Sequence, residues 1–412
     1  MAETNRLASR VGRLELSGPC LVASSVLTGD LERIRLAEHF GAAGVSTKMA
    51  MLHDPPQSQP AVILRGGGPR GLRGRGLEGI VTPGDRRLTL DEACVLVDRV
   101  KQHTDMVVIA NLLAAADDLD GWARLARALE GAGADALELD ISCPNLPRDA
   151  DVASRIPPGN CVAQYPELSE SVTRAVREST CLPVLCKLTA QVADVVEVAR
   201  ACRRGGADGL VAINGLRAAP PLDIRSGGRA RYATIDRHNL GTLTGPPLFP
   251  VACGVVAQIA RAVDLPVIGC GGVSSWQDVV EMMMWGASAV QVCTAVLTSG
   301  FQVVEALNAG VDTFLEEQGY GSVQEIVGLA LRYVVAPSEV RYRALRLAVD
   351  PELCNVCGLC LSPGICLAIS EQDGRIVLDN DACVECGLCL QICPRGAITV
   401  LHEAGAAPLP AA

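Results

Sequence analysis

Aromatic residues are scarce: four Phe, three Trp and five Tyr among 412 residues. The core must therefore be built from Ala, Val, Leu and Ile, which suits α/β packing. Positive charge is short as well. There are 36 Lys and Arg against 46 Asp and Glu, a net charge of -10, which argues against a partner that is nucleic acid or an anionic membrane. No segment approaches the roughly eighteen apolar residues of a membrane span, and the opening MAETNRLASR has no apolar signal core. A soluble cytoplasmic protein is expected. A dinucleotide fingerprint is missing too. GRGLEG (74–79) has the letters of G-x-G-x-x-G, but IVTPG follows where a helix should start and no βαβ unit surrounds it. The chain does not read as binding NAD(P)H through a Rossmann domain.

Cysteine, by contrast, is abundant, with 18 residues. Eight fall in two runs, CNVCGLCLSPGIC (Cys354, Cys357, Cys360, Cys366) and CVECGLCLQICP (Cys383, Cys386, Cys389, Cys393). The second is the C-x2-C-x2-C-x3-C-P pattern of bacterial two-cluster ferredoxins. The alternatives are a four-cysteine zinc site or a C-x-x-C redox pair, but three cysteines at x2 spacing, twice, with Cys-Pro ending the second run, favour clusters. In the cluster pattern each cubane takes three thiolates from one tight run and the fourth from the other. Cys354, Cys357, Cys360 and Cys393 are expected on one [4Fe-4S] cluster, and Cys366, Cys383, Cys386 and Cys389 on a second. The first run departs from the pattern, with five residues before Cys366 and no Pro after it. The other ten cysteines lack framework spacing and read mostly as small buried hydrophobes in a reducing compartment.

Residues 13–300 alternate apolar runs with helical patterns. Candidate strands are 20–24, 44–48, 107–113, 136–142, 183–188, 209–214, 266–272 and 289–296, and GAG, GGAD and WGAS phrases look like helix-to-strand turns. Eight nearly continuous apolar strands in βα units point to a (β/α)8 TIM barrel, followed by a small α+β ferredoxin-like domain. The expected layout is a barrel over residues 1–318, a helical linker over 319–345, the cluster domain over 346–402 and a disordered tail over 403–412.

Chemistry in such a barrel gathers at the C-terminal strand ends. That rule selects Ser24, Lys48, Asn111, Asp140, Cys143, Asn145, Lys187, Asn214, Gly271, Gly272 and Thr294. Lys48 and Lys187 suit the negative charge of a reduced flavin, or else face solvent. GCGG (269–272) and the helix start SSWQD can offer N–H groups to a phosphate. Cys143 is either a proton donor or one more buried cysteine. His53 and His238, on loops of the same face, read as structural or solvated. Two long loops (63–79 and 216–245) carry Arg65, Arg70, Arg73, Arg75, Arg217, Arg225, Arg229, Arg231 and Arg237, a local basic patch.

LELDISCPNL, PVLCKLTAQVADVVEVARACRRGGADGLVAIN, GCGGVSSWQDVVEMMMWGASAVQVCTAV and the cysteine tail together resemble the FMN-dependent dihydroorotate and dihydropyrimidine dehydrogenases. A barrel followed directly by a two-cluster ferredoxin is similar to the catalytic subunits of bacterial NAD-dependent dihydropyrimidine dehydrogenases. The resemblance implies that Lys48, Lys187 and Asn111 contact an FMN ring and that Ser24 lies at a flavin-contacting strand end. It implies that Gly271, Gly272, Cys293 and Thr294 hold the FMN phosphate region. It makes Cys143 the acid that protonates the substrate, and Asn145 and Asn214 amides that bind the ring. It further implies electrons leaving through the clusters to a flavoprotein subunit with FAD and NAD(P), or to a soluble ferredoxin, in an oligomeric assembly. Three departures bear on the substrate: Asp140 stands where the family has Asn, Gly215 stands where it has Thr or Ser, and residues 63–90 contain no Asn. The leading expectation is a pyrimidine of the uracil or thymine type. The alternatives are an anionic or amino-bearing heterocycle or enoate, and a non-catalytic electron-transfer subunit.

Overall fold

A computed structural model describes residues 5–52, 64–65, 80–82, 86–144, 159–220, 222–230, 240–340 and 346–401. Asn145, His53, His238, Arg70, Arg73, Arg75, Arg231, Arg237 and the tail from 402 lie outside the described residues. The chain divides into two units, Met1–Val334 and Val335–Ala412.

The first unit is a closed parallel barrel. Its strands are β1 (Cys20–Val22), β2 (Gly44–Ser46), β3 (Val107–Leu112), β4 (Ala136–Leu139), β5 (Val184–Lys187), β6 (Gly209–Ala212), β7 (Val267–Cys270) and β8 (Ala287–Val292). Each pairs with the next in chain order, and β8 returns to β1 through Val290 opposite Cys20. Residues two apart on a strand share a face. Leu21, Ile109, Ala136, Leu185, Val211, Ile268 and Ala289 thus form one buried inner layer. Mixing Ala with branched residues fills a narrow lumen without aromatics. A hairpin, Ser9–Val11 with Leu14–Leu16, adds Val11, Leu14 and Leu16 to the same cluster.

The helices are α1 (Leu31–His39), α2 (Leu90–His103), α3 (Leu119–Gly131), α4 (Pro166–Arg177), α5 (Val195–Gly205), α6 (Phe249–Ala262), α7 (Trp276–Met284), α8 (Thr294–Ser299) and α9 (Gln302–Gln318). Side chains of Asp30, Thr89, Asp118 and Asp194 cap α1, α2, α3 and α5, taking backbone N–H groups that have no partner within the helix. Gly206, just after α5, has φ +93, a left-handed turn back towards β6 that glycine adopts without strain. Of the nine described cysteines outside the tail runs, six are buried, and Cys181 alone is exposed. No helix among the described residues is long and apolar enough to cross a membrane.

The two long loops meet. Leu216–Ala218, Gly241–Thr244, Ile80–Thr82 and Leu64–Arg65 form a four-stranded antiparallel sheet that begins just beyond β6. A second addition lies at the end of β3. Ala50 pairs with both Leu112 and Leu88, so Ala50–Met51 and Leu88–Thr89 prolong the barrel wall there.

The expected helical linker over 319–345 is corrected. Its described residues hold only short 3-10 turns at Val323–Ile326, Leu331–Tyr333 and Pro337–Glu339, and the segment to Val334 belongs to the barrel unit. Val323 and Ile326 are fully buried in the main core, and the Val323 N–H donates to the Arg6 carbonyl. Gly321, Gly328 and Pro337 break what apolar spacing suggested was one helix.

The second unit pairs Arg346–Val349 with Ile398–Leu401 and holds a hairpin, Ile369–Gln372 with Arg375–Leu378. Between these strands run two similar loops. Val356 and Gly358 in one, and Glu385 and Gly387 in the other, all have positive φ. The same backbone path recurs because CNVCGLC and CVECGLC repeat the same spacing.

Candidate active site

Two residues beyond the apolar layer on β3, β4, β5 and β8, the barrel interior turns polar. Asn111 (β3), Glu138 (β4), Lys187 (β5) and Gln291 (β8) are all buried. They form one network around the Glu138 carboxylate. Asn111 Nδ2 donates to Oε1 at 2.7 Å, Lys187 Nζ to Oε1 at 3.1 Å, and Gln291 Nε2 to Oε2 at 2.6 Å. Lys187 Nζ also donates to Gln291 Oε1 at 3.1 Å. Burial pulls the Lys187 ammonium down, but Glu138 and then Cys270 and Asp140 outweigh it, and the net direction is up. Lys187 therefore stays a cation inside the barrel, held by an ion pair rather than by water. Among the described residues, the buried atoms Asn111 Oδ1 and Ser46 Oγ have no hydrogen-bond partner in the protein.

Above the belt a cavity opens at the strand ends. Ser24, Lys187, Asn214, Gly271, Gly272, Cys293 and Thr294 all line it, so seven of the sequence-selected residues share one wall. Lys48 and Asn111 do not line it. Lys48 is buried, with its backbone N–H on the Thr28 carbonyl, and Asn111 directs its amide to Glu138. Gly271 has φ +131 and Gly272 has φ +80, and a Cβ on Gly272 would stand 2.5 Å from the Phe249 nitrogen. Only glycine fits there. At SSWQD, the N–H groups of Ser274 and Ser275 both donate to Asp278 Oδ2, and Ser275 Oγ accepts from the Asp278 N–H. A capping box thus takes up part of the start of α7. The start of α8, behind Cys293, has no side-chain cap and borders the cavity.

Cys143 lies just past β4 and is buried. Arg87 Nη2 donates to its Sγ at 3.6 Å, within reach of a large sulfur atom. Asp140 is buried beside it. Asn214 Nδ2 donates to Asp140 Oδ1 at 3.0 Å and to Ser142 Oγ at 3.4 Å, while Ser142 Oγ donates to the Lys187 carbonyl at 2.7 Å. Burial pushes the Asp140 carboxyl up. Lys187 opposes this, Glu138 adds to it, and Arg87 opposes it more weakly, for a net upward direction. Of the expected arginine patch, Arg217 turns inward and Nη2 donates to the Pro144 carbonyl at 3.2 Å, while Arg225 and Arg229 are exposed.

Sequence reading missed Glu138, Gln291 and Arg87. The first two were marked by polarity inside apolar strands, ALEL and ASAVQV. Both faces of a barrel strand exclude water, so such residues must pair with each other or with a ligand. Arg87 carried no local mark, because only the pairing of Leu88 with Ala50 brings it to the barrel mouth.

In the second unit, Cys354, Cys357, Cys360 and Cys393 line one small cavity. Cys366, Cys383, Cys386 and Cys389 line another, with Cys360 at its edge. The N–H of Ala397 donates to Cys393 Sγ at 3.3 Å and that of Glu385 to Cys383 Sγ at 3.4 Å. Among the described residues, no three His, Cys, Asp or Glu are grouped to hold a metal ion.

Comparison with known proteins agrees with this architecture. A dihydroorotate dehydrogenase family model matches residues 82–315, and a 4Fe-4S binding domain model matches residues 376–399. The NAD-dependent dihydropyrimidine dehydrogenase subunit PreA of Escherichia coli (strain K12) is 32% identical over 277 residues, 66% of this chain and 65% of that protein. The chain thus spans just under two thirds of that relative's length. The dihydroorotate dehydrogenase B (NAD(+)) catalytic subunit of Pyrococcus abyssi is 35% identical over 322 residues, 77% of this chain and 97% of that protein. The equivalent subunit of Methanosarcina acetivorans is 36% identical over 319 residues, 77% and 94% of the two chains. The chain belongs to the dihydroorotate dehydrogenase family of oxidoreductases, with a 4Fe-4S binding domain near its C-terminal end.

Proposed function

We propose that this chain is the catalytic component of an FMN- and iron–sulfur-dependent enzyme that interconverts a C=C and a CH–CH bond in a small polar ring, of the pyrimidine or dihydropyrimidine type. One observation carries the reading: a buried cation, a glycine cradle and a buried thiol gather at one end of the barrel. The residues fit FMN. Asn111 Oδ1 and Ser46 Oγ are buried without protein partners, and the positive-φ pair Gly271 and Gly272 leaves no room for side chains. When bound, FMN supplies hydride exchange with a ring carbon. Lys187, fixed by Glu138, favours negative charge on the flavin ring, with Lys48, Asn111 and Ser24 as its other neighbours. Gly271, Gly272, Cys293 and Thr294 hold the phosphate region. Cys143 holds the proton exchanged with the substrate, and Asp140, Asn145 and Asn214 read the ring.

A second reading keeps the chemistry and changes the ring. The Asn214 amide is already engaged by Asp140 and Ser142, and its Oδ1 accepts from the Gly215 N–H at 2.9 Å. An ionised Asp140 only accepts hydrogen bonds, which favours an amino-bearing heterocycle over one that presents a carbonyl there.

The barrel unit carries the flavin and the second unit two [4Fe-4S] clusters. In each cavity three of the expected thiols come from one tight run and the fourth from the other, which is the two-cluster pattern. Electrons then pass to a partner, a flavoprotein subunit with FAD and NAD(P) or a soluble ferredoxin. The match to proteins named as NAD-dependent subunits supports the former.

The test is a substrate panel on the purified, dithionite-reduced protein. Rapid reoxidation of the flavin by uracil, thymine or orotate is expected, and reoxidation by aminopyrimidines alone would select the second reading. Protein that cannot bind FMN, or whose flavin reacts with no ring in the panel, overturns the proposal. Cys143→Ala should retain flavin and lose turnover about 10²–10⁴-fold. Unchanged turnover would remove Cys143 from its role.

A further inference from the structure

We propose that Arg87 is the positioning residue for Cys143: its guanidinium aims the sulfur at the barrel mouth and stabilises the thiolate that remains once the proton has left. The inference rests on the reading of Cys143 as the proton-holding group and adds what makes that group competent.

The geometry is direct. Arg87 Nη2 lies 3.6 Å from Cys143 Sγ, and both residues are buried. The backbone that follows the arginine is anchored. Leu88 N–H donates to the Met49 carbonyl at 2.9 Å, and the Leu88–Thr89 strand leads into α2, whose first turn is held by the Thr89 and Glu92 capping box. The guanidinium therefore approaches sulfur from a fixed wall. Arginine keeps its charge at every accessible pH, so the interaction cannot be titrated away from the arginine side.

A thiol here needs such help. Cys270, at the end of β7 near Lys187, is pushed up to about 11 by burial, against the opposing pull of that lysine. A buried thiol that weakly acidic would hold almost no thiolate at neutral pH and would exchange its proton poorly. An adjacent cation acts in the opposite sense, favouring the charged form. Charged groups near this segment include Asp140, three residues before Cys143, Lys187, which acts on Asp140, and Arg217, which donates to the neighbouring Pro144 carbonyl. Asp140 opposes the thiolate, while Lys187 and Arg217 support it. Arg87 donates directly to the sulfur. The proton balance is simple: one S–H bond breaks as one C–H bond forms, or the reverse, and Arg87 retains its own protons throughout.

The test uses the holoprotein and reads the thiol itself. The rate of alkylation of Cys143 by iodoacetamide is followed against pH by peptide-resolved mass spectrometry. In the wild type the inflection should fall below the ordinary thiol value of about 8.5. In Arg87→Gln it should rise by about one pH unit or more, with flavin content unchanged, and Arg87→Lys should restore part of the shift. The same inflection in Arg87→Gln as in the wild type overturns the proposal. So does a wild-type inflection at or above about 8.5, a result that needs no variant to fold. The readout is independent of turnover. If Cys143→Ala proves fully active, the proton role falls while the Arg87 coupling is still measured.

Discussion

Asp140 shows how one side chain alters a site without altering the fold. The resemblance described above implies a neutral amide at this position, and here a carboxyl is buried among Lys187, Arg87 and Glu138. Burial raises its pKa, with the cations only partly compensating, so the folded chain binds this proton more tightly than the unfolded chain. By linkage, ionisation costs stability as pH rises above the ordinary value of 3.8. Asp140→Asn should therefore be more stable than the wild type at neutral pH, by about 1.4 kcal/mol per unit of pKa elevation. The difference should vanish as the pH falls below about 4, where both states are protonated. Thermal denaturation of both proteins across that range checks the sign. An Asn variant less stable at neutral pH would show that Asp140 serves as a needed counter-ion for Lys187 and Arg87. The fold tolerates Asp140 because a neighbour, Asn214, donates to it at 3.0 Å.

At the scale of elements, the loop sheet explains the second departure. Gly215 stands where the resemblance implies a hydroxyl residue, and the space beside it is full. A Cβ there would collide with Thr242 Cγ2 and lie 3.0 Å from the Leu243 carbonyl oxygen. Thr242 belongs to the strand that pairs with both Leu216–Ala218 and Ile80–Thr82, so it joins the two long loops. Gly215→Ala should then destabilise the protein by about 1–3 kcal/mol through overpacking. Thr242→Ser removes only the offending methyl and should recover much of that loss in the double variant. Melting temperatures of the four proteins form the cycle, and simple additivity would refute the contact. The long loops could be read as functional from their length and placement. Their pairing could not, because Thr242 and Thr82 are far apart in sequence and neither segment alternates strongly enough to announce a strand.

At the scale of the whole molecule, the chain adds to its barrel unit a second unit whose cysteines are proposed to hold two clusters. Cys366 was the irregular member of the cysteine pattern, five residues beyond its run instead of three. It nonetheless reaches the cavity of Cys383, Cys386 and Cys389, because the segment from Leu361 to Cys366 bridges the gap between the two loops. Cys366→Ala should lower iron from about eight to about four atoms per chain, while the cavity of Cys354, Cys357, Cys360 and Cys393 keeps its cluster. Iron and acid-labile sulfide analysis of anaerobically purified protein measures this. Loss of all iron would mean that the two sites assemble as one. About four atoms in the wild type would mean that only one cavity is filled.

The eight barrel strands, the two cysteine runs and part of the cavity wall were legible in the amino-acid order, because each rests on local chemistry. Barrel strands must be apolar on both faces, cubane ligands need fixed short spacings, and positive-φ turns need glycine. The segment after α9 was misread as a helix because apolar spacing alone does not distinguish one helix from a run of short turns that bury the same residues, such as Val323 and Ile326. What only the tertiary structure decided are the meetings of side chains from distant strands. Glu138 became the hub of Asn111, Lys187 and Gln291, and Arg87 came to face Cys143. Those contacts depend on barrel closure and on strand register, which align residues far apart in the chain. Buried charge is stable only when such partners arrive together.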